Sequence, residues 1–153
     1  MYLGVEKDAL AGLLLSWFRD LGIGIVAVRG YSSESLIEDL RDEAADDGRP
    51  AVMLYAGDFD PPGEDIPRDL GERLDGDVMV ERIALTHEQV LGYDLPPALG
   101  KASDSRAAAF EERHWELIQV ELDALPPDAL RGLYEDALDR FWGAFEVGIG
   151  LID

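Results

Sequence analysis

Two aspartates spaced i and i+2, Asp58 and Asp60, stand in Tyr55-Ala-Gly-Asp-Phe-Asp-Pro-Pro-Gly63, directly after the apolar run Ala51-Val-Met-Leu-Tyr55. The run reads as a buried strand, so both carboxylates fall at its carboxyl end, where side chains two apart can point the same way. Such a pair can share a hard divalent cation. Mg²⁺ takes one or two carboxylates together with waters and substrate phosphates. The pattern therefore points to phosphate chemistry, against the plainer reading of a solvated aspartate turn ahead of Pro61.

The elements that must position these acids alternate between strand and helix. Leu3-Gly-Val5 is a short strand ending at Glu6, and a helix follows from about Asp8 to Leu21. Leu10, Leu13, Leu14, Trp17, Phe18 and Leu21 recur on one helical face, and Gly22 stops the helix. Gly24-Ile-Val-Ala-Val28 has the uninterrupted apolar character of a strand buried on both faces of a parallel sheet. Gly30-Tyr-Ser-Ser33 is a turn that caps a second helix with Leu36, Ile37 and Leu40 inward. Pro61, Pro62 and Gly63 open a third helix carrying Ile66, Leu70 and Leu74, since proline is tolerated in a first turn. Val78 to Leu85 reads as a fourth strand, and Thr86-His-Glu-Gln89 as a capping box. A helix from about Asp104 to Trp115, a fifth strand over Leu117 to Leu122 and a long helix from Pro126-Pro127 complete the pattern. The long helix carries the stripe Leu130, Leu133, Tyr134, Ala137, Leu138, Phe141, Trp142 and Phe145.

This alternation predicts a three-layer α/β/α domain with a mostly parallel sheet and a helical C-terminal extension. One domain is expected over residues 1–153, with a core of about 2–85, an extension of about 86–146 and a loosely held tail, 147–153. Ligands of such sheets bind at the carboxyl ends of strands, where Glu6, Arg29, Asp58, Asp60 and Thr86 all fall.

The composition narrows the chemistry. With no cysteine, disulfides and thiolate metal sites are excluded. No signal peptide is visible, and no apolar stretch approaches the roughly 20 residues of a membrane span, so a cytoplasmic protein is expected. The formal charge of −20, from 33 acids against 13 bases, opposes broad nonspecific binding to DNA. Contact with DNA or RNA would be local, bridged by metal or helped by a partner.

These pieces together resemble a known family. Val5-Glu-Lys-Asp-Ala9 is similar to the start of the Toprim domain in the A subunit of topoisomerase VI and its meiotic strand-breaking relatives. Val28-Arg-Gly-Tyr31 is similar to the glycine turn after their second strand, and Gly57-Asp-Phe-Asp-Pro-Pro-Gly-Glu-Asp-Ile66 resembles their Asp-x-Asp-Pro-x-Gly-x-x-Ile segment. Gln119-Val-Glu-Leu-Asp-Ala-Leu125 looks like a strand near the end of that region. The resemblance implies strand order 3-1-2-4, which puts Glu6 beside Asp58 and Asp60. It also implies that Asp58 and Asp60 hold Mg²⁺ (or Mn²⁺), with Glu6 holding a second ion or acting as general acid–base. The chain departs from the family in replacing the usual Pro-Asp after the glycine turn with Ser32-Ser33. None of Tyr2, Tyr31, Tyr55, Tyr93 and Tyr134 matches the family's nucleophilic tyrosine. A water nucleophile, or a protein partner supplying the tyrosine or the DNA binding, would then be needed.

Other residues have two readings each. Lys7 could contact a phosphate or neutralise the acids. Lys101, Ser103, Ser105 and Arg106 form a basic, hydroxyl-rich cluster near a helix start that could grip phosphate, or Ser103 or Asp104 could simply cap the helix. Arg29 is a further phosphate candidate. Glu64 and Asp65 suit a helix's first turn, although Glu64 could reach a metal through water. His87 and His114 read as surface residues rather than zinc ligands. An exposed part of the last aromatic stripe would dock a partner or another copy of the chain. Two other functions compete with Mg²⁺-dependent nucleic-acid cleavage: a signalling receiver phosphorylated on Asp58, with Thr86 and Lys101 in support, and a non-catalytic interaction module.

Overall fold

The computed structural model describes residues 1–29, 33–97, 106–114 and 118–150, the side chains of 143–150 excepted. Four apolar runs form one parallel sheet: β1 (Tyr2–Val5), β2 (Gly24–Ala27), β3 (Ala51–Ala56) and β4 (Val78–Ala84). Each pair of consecutive strands is bridged by a helix, as parallel pairing requires: α1 (Asp8–Phe18), α2 (Glu34–Asp47) and α3 (Pro61–Leu74). Then come α4 (His87–Gly92), α5 (Ala107–His114) and α6 (Pro127–Gly150). The expected α/β/α layering holds.

Side-chain alternation along the strands builds two cores. Leu3 and Val5 of β1 and Leu54 and Ala56 of β3 face Leu14 and Phe18 of α1 and Leu130, Tyr134 and Leu138 of α6. Tyr2, Met53 and Tyr55 face the other way, onto Ile37, Leu40 and Ala44 of α2 and Ile66, Leu70 and Leu74 of α3. α1 ends in a single 3-10 turn over Arg19–Leu21, closed by Gly22 at φ 67°. Ser33 caps α2 through its hydroxyl, and Thr86 and Gln89 make both bonds of the capping box on α4.

The sheet order is β2-β1-β3-β4, not 3-1-2-4: β1 does lie beside β3, but β4 pairs with β3 rather than β2. The cause is the face on which α3 packs. The step from β2 to β3 crosses over on the α2 side, and α3 buries its stripe on that same side. Right-handed crossovers on one face must advance in one direction, so β4 continues outward past β3. The expected order would have needed α3 on the α1 side.

Two further differences concern the second half. The segment read as a fifth strand makes only an isolated antiparallel bridge, Phe59 with Val120, and a 3-10 turn over Leu122–Ala124 follows. The last helix continues through Val147 to Gly150, so part of the expected tail is helical. No helix among the described residues is long and apolar enough to cross a membrane.

The Tyr134 hydroxyl, wholly buried, donates to the Gly4 carbonyl at 2.7 Å and ties α6 to β1. Tyr134→Phe is expected to lower the unfolding free energy by about 1 to 3 kcal/mol, the cost of a lost buried bond. Urea denaturation measures this, and a loss within error would show that the bond does not anchor α6.

Candidate functional site

Glu6 leaves β1 and Asp58 leaves β3 at the same end of the sheet. The register sets Val5 opposite Ala56, and Glu6 N–H donates to the Ala56 carbonyl at 3.2 Å. The Glu6 carboxylate then meets the next turn of chain: its Oε2 accepts the Asp58 N–H at 2.9 Å. Asp58, only 8% exposed, accepts the Leu122 N–H on Oδ1 at 2.8 Å. Asp60 caps α3, its Oδ1 accepting the Gly63 N–H at 2.6 Å. Each acid is thus oriented by a backbone donor. The Phe59–Val120 bridge holds the 118–122 segment over this loop, with bonds of 2.8 and 2.9 Å.

Lys7 is the cation of the cluster. Its Nζ lies 3.3 Å from Asp123, 3.9 Å from Asp58 and 4.0 Å from Glu121. Burial alone would push its pKa down, but the charges of Asp58, Asp123 and Glu121 outweigh it and raise the pKa. Burial raises the pKa of Glu6. The Asp58 N–H opposes this, and the charges of Asp58 and Asp60 add to it. Burial likewise raises Asp58, with the Leu122 N–H and Lys7 opposing and Asp60 adding. Glu6 therefore feels the charges of Asp58 and Asp60, Asp58 feels that of Asp60, and Lys7 opposes both shifts.

Sequence reasoning passed over Arg82. A β-bulge shifts the register from Tyr55–Arg82 to Ala56–Ala84. The Arg82 guanidinium reaches under the acidic loop and donates to the carbonyls of Asp58 at 2.9 Å, Leu85 at 2.7 Å and Gly63 at 3.2 Å. Burial lowers its pKa, opposed by Tyr55, Glu64, Asp60 and Glu6, but a guanidinium stays charged. The available signal was a lone arginine inside an apolar strand.

Close packing completes the loop. A Cβ on Gly63 would sit 2.1 Å from the Asp58 carbonyl oxygen, and one on Gly57 would sit 2.2 Å from the Tyr55 hydroxyl. Tyr55 is wholly buried.

His87 and His114 are not isolated surface residues, as their sequence positions suggested. His87 stacks on Phe59, and His114 packs edge-on to Phe59 and Phe110, with the two imidazoles 5.2 Å apart. The Glu64 carboxylate pairs with His114 Nε2 and, at 2.5 Å, with Arg113, joining α3 to α5. Its role is thus more than complementing a helix dipole. Arg29 is engaged with Asp8, its Nε 2.9 Å from Oδ1, beside the start of α1. Arg106 lies 3.6 Å from Asp65, whereas Lys101, Ser103 and Ser105 lie outside the described residues.

The fold and the site define an α/β protein with three acids, Glu6, Asp58 and Asp60, gathered at the carboxyl ends of two adjacent parallel strands. No protein-family model matches the chain, and no curated protein matches it either.

Glu6, Asp58 and Asp60 are the residues that could hold a Mg²⁺ ion. Such an ion needs one or two carboxylates and completes its shell with water and phosphate oxygens, and an ionised carboxylate has about four lone-pair sites between its two oxygens. Among the described residues no three His, Asp or Glu groups form a ready-made metal cage.

Two outcomes follow. Gly63→Ala is expected to cost at least about 2 kcal/mol, in the range of overpacked interiors, because the atom it meets is backbone; a stable variant in thermal melts would contradict the packing. The Glu6 pKa is raised by folding, so its contribution to stability is fully present below its unfolded value of about 4.3 and is lost as pH rises through the raised value. Glu6→Gln, which can still accept from Asp58 N–H, should therefore gain on the wild type between pH 4 and pH 7. Denaturation in EDTA across that range checks the sign.

Proposed function

We propose that this chain performs Mg²⁺-dependent phosphodiester chemistry on nucleic acid, as a Toprim-type catalytic domain or the catalytic part of a larger assembly. The observation that carries this reading is the Glu6 carboxylate bonded to the Asp58 N–H at 2.9 Å, which joins the acid of β1 to those following β3. Asp58 and Asp60 would hold Mg²⁺ or Mn²⁺. Bound there, the ion would supply charge stabilisation to a phosphoryl oxygen.

The chain's own groups account for the rest. Glu6, with its pKa raised above the usual carboxylate value by burial and its carboxylate held beside the Asp58 backbone, is the group placed for proton transfer. It would accept a proton from a water attacking phosphorus and return one to the departing oxygen as the P–O bond breaks. Lys7, beside Asp58, would meet a non-bridging oxygen. Tyr55 and Tyr134 are wholly buried and cannot serve as nucleophiles; the nucleophile of this reading is water or a tyrosine from a partner.

The receiver reading is weaker. The Thr86 hydroxyl accepts from Gln89 N–H in the capping box, and one oxygen of Asp58 is held by Leu122 N–H.

Incubation with single- and double-stranded DNA and RNA, with Mg²⁺ or Mn²⁺, tests the proposal. The wild type is expected to cleave, and Asp58→Ala and Glu6→Ala to lose roughly a hundredfold or more, beyond what loss of outer metal-site contacts costs. Activity retained by both variants removes the mechanism. A folded wild type with no activity favours the interaction module or a missing partner.

A further inference from the structure

Four of the eleven arginines, Arg68, Arg82, Arg106 and Arg113, line one groove of about 590 Å³ between α3 and α5. The acids of its lining are Glu64 and Asp65. Four fixed positive charges thus face two negative ones, in a chain whose formal charge is −20. The groove adjoins the acidic loop: Arg82 donates to the Asp58 carbonyl at 2.9 Å, and Glu64 lies in the first turn of the helix that Asp60 caps.

We propose that this groove holds the phosphate backbone of a single nucleic-acid strand leading to the acidic loop of Asp58 and Asp60. The identity of the ligand rests on the phosphodiester reading above; its location rests on the arginines. A guanidinium presents five donors in a planar fork matched to phosphate. Arg68 and Arg113 have side chains 56% and 54% exposed, with heads paired to Asp65 at 2.7 Å, Glu72 at 2.9 Å and Glu64 at 2.5 Å. Their partners Asp65 and Glu64 are less exposed, at 21% and 18%, but a guanidinium has five donors, and each of these arginines leaves N–H groups for a second acceptor on its exposed side. The volume falls in the range of small-ligand sites, so it takes a strand's backbone and not a duplex. Distant acids do not forbid this, because their field is screened beyond about 10 Å at 0.1 M salt.

The test is binding of a fluorescent ten-residue oligothymidylate in EDTA at salt concentrations of about 0.1 M and above, with ATP as a competitor. Wild type is expected to bind with a salt-dependent affinity. The double variant Arg68→Gln/Arg113→Gln should flatten the slope of log affinity on log salt by about 1.4, near 0.7 per lost single-strand contact. Arg131→Gln on α6, an arginine 48% exposed and paired with Glu135, should leave the slope unchanged. Equal effects of both changes, or no salt-dependent binding, would overturn the groove. ATP binding more tightly than the oligonucleotide would overturn the strand assignment. Binding is read in EDTA, without the metal ion that cleavage requires, so loss of catalysis and loss of the groove are read separately.

Discussion

The parallel pairing of β1 with β3 is the constraint on which this molecule depends. Because Val5 lies opposite Ala56, the residue after each strand emerges at the same level, and a carboxylate on one can reach a backbone N–H on the other. That bond, from Asp58 N–H to Glu6, does two things at once. It satisfies a donor at the end of a buried strand, and it holds one acid against the repulsion of two more. Burial and like charge make the arrangement costly. Backbone donors to Glu6, Asp58 and Asp60 offset part of that cost and fix each group's direction.

Cations surround the acids from several sides. Lys7 bridges Asp58 to Glu121 and Asp123, drawing the 3-10 turn after Val120 toward β1. Arg82 lies beneath, bonded to three carbonyls where β3, α3 and β4 meet. The β-bulge next to Arg82 and the absence of a Cβ at Gly63 let these chains approach so closely. Arginines continue from there along the α3–α5 groove. Five of the 13 basic residues, Lys7, Arg68, Arg82, Arg106 and Arg113, thus lie beside the acids or along the adjoining groove.

Most of the first half is legible in the residue pattern itself. Helical stripes such as Ile66, Leu70 and Leu74, and the all-apolar strands, report burial through periodicity alone, and these elements form where the pattern puts them. The placement of β4 is not legible, because it turns on which face α3 buries, and an amphipathic stripe does not say which side of a sheet it will cover. The 118–122 segment has strand-like composition, yet it bridges one residue of the acidic loop and joins no sheet. His87 and His114 look unrelated because they are far apart in sequence; only the packing of α4 and α5 around Phe59 brings them together.

The full burial expected of β2 is not found, because β2 lies at the sheet edge with all four residues partly exposed. The sequence by itself determined the alternation of elements, the lack of any thiol chemistry and the position of Asp58 and Asp60 at a strand end. These are local properties, set by side-chain period, caps and residue type within a few positions. Tertiary structure alone decided that Glu6 bonds to the Asp58 backbone, that Leu122 orients Asp58, that Arg82 supports the loop and that four arginines share one groove. Those contacts join residues up to 64 positions apart, as Asp58 and Leu122 are, and depend on how whole faces pack, which no local pattern encodes.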